Sequence, residues 1–274
     1  MTAPVPEDKL RLGGMALRNG LLVHGPTHWA AAVRTKNGEL KVASGRKPDL
    51  GSRAAERVPG VRGVVKLAEA MAVIPLVKRA LPEARLPMQD VKTLGSMGAA
   101  ALAGQAIRTA GSRTPGTRTA GREAAVALVS LAPALLALRS GDLAAYHGVE
   151  HKAIAAYEQG AADARDAAKE HDRCGSHLMV PLLAGNLAGT LLLRRTLEKP
   201  GPVAGGAVAL ASTAVAVEVF AWCERNSQTR LARALRKPGF ELQRVIGTRE
   251  PDERQLEVGR AALAEILRVE GTVG

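Results

Sequence analysis

Apolar positions along this chain fall into two regimes, short runs broken by glycine and charge in the first third and long uncharged stretches after it. Between Leu12 and Pro26 a short apolar run carries Gly13-Gly14 at one end and Gly25 at the other, which predicts strand or turn structure with close backbone contacts. Trp29 to Val33 and Leu40 to Ala43 flank Lys36-Asn37-Gly38-Glu39, and the Asn-Gly pair predicts a β-hairpin closed by a two-residue turn. Charged residues from Arg46 to Arg57 read as a linker. Val58 to Ala80 then reads as an amphipathic helix, with Val64, Val65, Leu67, Ala68, Met71 and Ile74 among its apolar positions. Pro75 is expected to break or kink it.

Four apolar stretches follow: Leu94 to Ile107, Ala124 to Leu138, Leu178 to Leu193 and Val203 to Trp222. A spanning helix needs about 20 mostly apolar residues. The last stretch meets that length, interrupted by Glu218 alone; the others reach it by including small polar residues at their ends. From Asp252 onward, Leu256, Ala261, Ala262, Leu263, Ile266 and Leu267 predict a charged amphipathic helix.

The pattern predicts a mainly α protein, a membrane-associated, Ala-rich helical bundle with a small N-terminal β-hairpin element. Residues 1–93 form an N-terminal α+β cytosolic segment, 94–138 two apolar helices, 139–177 a polar helical segment, 178–222 two transmembrane helices, and 223–274 a C-terminal cytosolic amphipathic tail. Composition agrees. Aromatic residues make up 2% of the chain, so a soluble core would be thin, whereas Ala and Gly at this density suit close helix packing in a membrane. The alternative is a soluble bundle of buried Ala-rich helices.

The chain has 274 residues and a net charge of +12, which raises anionic lipid or nucleic acid as partners. Single-stranded nucleic acid needs aromatic stacking platforms, which two Phe, two Tyr and two Trp scarcely provide, so no nucleic acid is expected. The expected partners are the lipid bilayer and helical membrane proteins or further copies of this chain. Cys174 and Cys223 make no disulfide framework and fit a reducing, cytosol-facing setting. Residues 1–20 lack the continuous apolar run of a signal peptide. Arg108 to Arg122 holds four Arg and no acid, which favours the cytosolic side, as does the basic N-terminal region. The two conflict if residues 94–107 cross once. The preferred arrangement has both termini and residues 139–177 in the cytosol.

Candidate chemistry concentrates in Tyr146-His147-Gly148-Val149-Glu150-His151-Lys152 and in His171-Asp172-Arg173-Cys174-Gly175. On a helix His147 and His151 lie about 40° apart on one face, with Glu150 beside them. Two imidazoles so placed can chelate a divalent ion, and the carboxylate can act as general base in metal-assisted hydrolysis. The H-x-x-E-H order also occurs in inverzincin metalloproteases. Glu158 stands at a similar angle two turns on, as a third ligand or a partner of one. His171 and Cys174 suit a borderline-soft ion. Glu218 is costly inside an apolar helix unless it meets a partner, and reaching the cytosolic end of the bundle would bring it to the histidines. The candidate ligands are therefore His147, His151, His171, Cys174 and Glu218, with Glu150 as base and zinc as the expected ion. The plainer alternative is a solvated or internally paired histidine cluster.

With these residues in view, the chain resembles the YqhQ family of bacterial membrane proteins over about residues 11–268, through Gly13-Gly14 to Gly25-Pro26, the Tyr146 to Lys152 motif, His171 to Gly175, and Pro238 to Val258. The resemblance implies a multi-pass protein of the bacterial inner membrane and a predicted metal-dependent enzyme of unassigned reaction. Where the family's opening motif usually has Gln and Glu, this chain has Met15 and Asn19, so no acidic ligand carries over there; His24 or His28 are the nearest substitutes. The leading expectation is an integral membrane metal-dependent hydrolase, the alternative a non-catalytic membrane scaffold or regulatory protein with a structural histidine/cysteine cluster. A soluble basic nucleic-acid binder is the third and least favoured.

Overall fold

A computed structural model describes residues 9–51, 55, 57, 58, 60–87, 89–110, 118–139, 141–161, 163–197 and 201–271. Residues 111–117 of the Arg108–Arg122 linker and part of the Arg46–Arg57 linker lie outside the described residues, as do residues 1–8.

Four strands, β1 (Gly13–Leu17), β2 (Gly20–His24), β3 (His28–Arg34) and β4 (Leu40–Arg46), form an antiparallel meander in the order β1-β2-β3-β4. The predicted hairpin is present, but its turn is longer than expected. Thr35 N–H bonds Glu39 O and Gly38 N–H bonds Thr35 O, leaving three residues in the loop. Gly38 takes φ 87°, the left-handed conformation that closes a type I turn with a bulge, so the glycine matters more than the Asn-Gly pair.

The sheet is covered on both faces, which is why β2 and β3 read as unbroken apolar runs instead of alternating ones. Leu21, Val23, Ala30 and Ala32 face Val258, Ala262 and Ile266 of the last helix. Leu17, Leu22, Trp29, Ala31 and Val33 face Val73 and Val77 of the first. That first helix, α1 (Val61–Ala80), continues through Pro75 without ending there. The side it buries carries Glu69, Val73 and Val77, whereas Leu67 and Met71 of the predicted apolar set remain exposed.

Next come α2 (Val91–Thr109), α3 (Arg118–Leu138), α4 (Gly141–Gln159), α5 (Met179–Thr196), α6 (Pro202–Arg225), α7 (Arg230–Leu242) and α8 (Glu253–Gly271). Asp252 and Gln255 cap α8 reciprocally, each side chain accepting the other's backbone N–H at 2.8 and 2.9 Å. The predicted C-terminal tail is thus the helix that completes the core with the N-terminal sheet. Helix α4 packs against β1 and α8 and is buried along most of its length.

Among the described residues, three segments are long and apolar enough to cross a membrane: Gly121–Leu138, Gly175–Thr196 and Pro202–Arg225. Only 11%, 6% and 11% of their residues are buried by the rest of the chain, so their apolar faces lack protein cover.

His24 shows the consequence of burying a titratable ring. It is 9% exposed and neither ring nitrogen has a partner among the described residues. Burial, then the charge of Lys47, lowers its pKa to about 4. Its neutral form is favoured on folding, so the associated stability is intact above pH 6.5 and is lost as pH falls from there towards 4. We expect a loss of about 2–3 kcal/mol between pH 7 and pH 4.5, absent in His24→Phe. Paired melting curves of wild type and variant at the two pH values check this; equal losses would exclude it.

Candidate metal centre

Helix α4 can sit this deep because glycine lets its neighbours close in. A Cβ on Gly148 would stand 2.3 Å from Arg249 O, and one on Gly259 of α8 would stand 2.4 Å from Val149 Cγ1. The strap after α7 therefore lies directly on α4, with Arg249 N–H bonded to Ala144 O at 2.9 Å. It brings Gly247 O to 2.8 Å from His147 Nδ1. One turn on, His151 Nδ1 lies 2.6 Å from Lys169 O. A carbonyl oxygen only accepts, so Nδ1 carries the proton in both rings, and in a neutral ring so held the lone pair is on Nε2.

One ring nitrogen from each histidine and Cys174 Sγ lie within 4.8 Å of one another. Cys174 Sγ is 3.4 Å from His147 Nε2, and the two imidazole centroids are 4.4 Å apart. His151 is 2% exposed and its Nε2 has no partner among the described residues. Atoms bound to one tetrahedral ion at 2.0–2.3 Å stand about 3.3–3.8 Å apart, so the Sγ–Nε2 spacing already fits and the widest separation closes with small side-chain rotations. A backbone carbonyl behind each imidazole is the usual support of a metal-binding histidine.

Charge is scarce here. Burial, then the neighbouring His147, pushes His151 well below the ordinary histidine range, so it stays neutral. Burial raises the Cys174 thiol to about 11. Burial also raises the Glu150 carboxyl, against the opposing pull of His147 and of the Ala16 N–H. Glu150 lies against the glycine strand, since a Cβ on Gly14 would meet its Cγ at 2.6 Å. A cavity of about 310 Å³ adjoins the group, walled by Glu150, His151 and Cys174, by Gly13 and Gly14, and by Phe220 near the end of α6.

Of the residues named from sequence, the structure brings together His147, His151 and Cys174, with Glu150 beside them. His171 is adjacent, its ring centroid 5.7 Å from that of His151. Both its nitrogens are engaged, Nδ1 accepting from Arg173 N–H at 3.2 Å and Nε2 facing Glu158 at 3.3 Å. Glu158 pairs with Arg173 and His171 and so supports the loop instead of joining the ligand group. Glu218 is not brought to the cluster: its carboxylate bonds Arg62 Nε and Gly60 N–H, each at 2.9 Å, and anchors the start of α1. His24 lies in the sheet core and His28 Nδ1 pairs with Thr27 Oγ1 at 2.8 Å. Asn19 clamps three segments by bonding Arg34 O, Glu83 O and Arg85 N–H.

Sequence reasoning missed Gln243. Its fully buried amide accepts from His171 N–H at 2.8 Å and donates to Ser176 Oγ at 2.8 Å, fixing the loop that carries Cys174. It begins a π-helical turn, Gln243–Gly247, the kind of local widening that often marks functional sites. The same turn ends at the carbonyl behind His147.

No curated protein and no solved structure gives a significant match to this chain. Residues 141–269, which hold Glu150, the three converging residues, Gln243 and the strap, match a family model described as "Protein of unknown function (DUF1385)".

Proposed function

We propose that this chain is a YqhQ-like metal-dependent hydrolase of the bacterial inner membrane, with zinc held by His147, His151 and Cys174 and with the site facing the cytosol. The carrying observation is the buried Nε2 of His151, without a partner among the described residues, in a group with His147 and Cys174 whose candidate ligand atoms lie within 4.8 Å of one another. A two-nitrogen, one-sulfur set suits zinc and leaves a fourth position open, as catalytic sites require. The ion supplies Lewis acidity toward a carbonyl or phosphoryl oxygen. Glu150 takes the proton of the attacking water and returns it to the leaving group. Its burial-raised carboxyl suits both transfers. The two free cysteines agree with a reducing compartment.

Metal analysis of detergent-purified protein tests the reading. About one ion per chain is expected in the wild type, and less than about a tenth of that in His147→Ala/His151→Ala. Equal content in both rejects the site. Glu150→Gln separates enzyme from scaffold. It is expected to keep the ion yet fail to rescue a deletion strain, since loss of a general base lowers rates by about 10²–10⁴-fold. Full rescue by a metal-loaded Glu150→Gln protein would favour the non-catalytic scaffold.

A further inference from the structure

Helix α2 is not among the three strongly apolar segments, yet its surroundings treat it as a span. Four helix ends meet the layer that holds the sheet and the metal centre. Asp90 caps the start of α2 and pairs with Arg18 of the β1–β2 turn at 2.7 Å. The end of α3 runs into α4 after Leu138. The turn that opens α5 is capped by Cys174 itself. Near the end of α6, Glu224 pairs with Arg11 at 3.1 Å and Phe220 walls the cavity.

The opposite ends also meet. Glu123, 5% exposed near the start of α3, pairs with Arg108 at the end of α2 at 3.2 Å and with Arg194 at the end of α5 at 3.0 Å. Between these two ends α2 lies antiparallel along α3, close enough that a Cβ on Gly104 would touch Val126 Cγ1 at 3.4 Å. Its charged residues, Lys92 and Arg108, stand at its ends. Nineteen residues rise about 28 Å, close to a hydrocarbon core of about 30 Å. Its outer surface remains apolar, with Leu94 55% and Leu102 74% exposed, beside the largely uncovered α3 on which it packs.

We infer that α2 is a fourth membrane-crossing helix whose outer face contacts lipid tails, so that the sheet, α4 and α8 lie on one side of the bilayer and the end of α2 with the start of α3 on the other. This rests on the membrane reading of the other three helices. It sets the Arg-bearing end of the hairpin opposite the basic N-terminal region, against the positive-inside tendency. The hairpin crosses twice, and the buried carboxylate of Glu123 partly neutralises the Arg-bearing far end.

Single exposed cysteines test it. Lys36→Cys, Arg254→Cys and Ala110→Cys would each be treated with a membrane-impermeant maleimide in intact cells and in lysed membranes, against the wild type with its two buried thiols. Lys36→Cys and Arg254→Cys are expected to react from one side and Ala110→Cys from the other. Labelling of Ala110→Cys from the side of Lys36→Cys, or from neither side, overturns the inference while leaving the protein in the membrane fraction. Recovery of the wild type without detergent in a high-salt wash overturns the membrane reading itself. Leu102→Lys is expected to lower membrane-inserted yield about tenfold or more relative to Leu102→Ala, as a charge facing lipid does. Equal yields would mean that Leu102 faces water, which contradicts the inference.

Discussion

Chelation is expected to lower the stability of the purified protein by about 4 kcal/mol when the ion had been present at about a thousand times its dissociation constant. For a chain of this size that corresponds to a fall of about 10 °C in melting temperature. The size follows from what the ion joins. His147 and His151 belong to α4, whereas Cys174 belongs to the loop that leads into α5, so losing the ion releases the bundle from the helix beneath it. His147→Ala/His151→Ala should melt near the chelated wild type and show no further response to chelator. A double variant as chelator-sensitive as the wild type would mean that the ion sits elsewhere.

The His147, His151 and Cys174 cluster was legible in the sequence to the extent that it is local. The four-residue spacing of His147 and His151 needs only a helix, and the polar run ending at Cys174 marks itself against apolar neighbours. What the sequence could not carry was pairing across long separations. Glu218 looked free inside an apolar stretch, and its partner Arg62 is 156 residues away. His171 looked like a ligand because its engagement by Glu158 and Arg173 depends on how one loop folds back on α4. Gln243 gave no signal, because an amide that links four groups has no spacing rule.

The fold divides similarly. The β3–β4 hairpin, the amphipathic last helix and the apolar stretches follow from period and turn residues, whereas the two strands before the hairpin were legible only as strand or turn. That the last helix lies on the first sheet does not, because nothing in either segment names the other. Pro75 misled for a physical reason. Its missing N–H and its ring disturb only one turn, and the packing of Val73 and Val77 against the sheet holds the helix through it.

At the far end of the bundle the buried carboxylate gives the second large effect. Replacing Arg108 or Arg194 alone leaves Glu123 one partner, whereas Arg108→Ala/Arg194→Ala leaves it buried and unpaired. The double variant is therefore expected to lose about 3–5 kcal/mol, more than the sum of the single losses. Each arginine is about two-fifths exposed, so its own pair is partly screened and each single change should cost about 1 kcal/mol or less. Adding Glu123→Gln to the double variant removes the orphaned charge and should restore most of the loss. Unfolding of the four proteins in one detergent, by melting or denaturant, gives the coupling directly. Additive single losses with no rescue by Glu123→Gln would show that this cluster is a solvated group of charges and does not hold α2, α3 and α5 together.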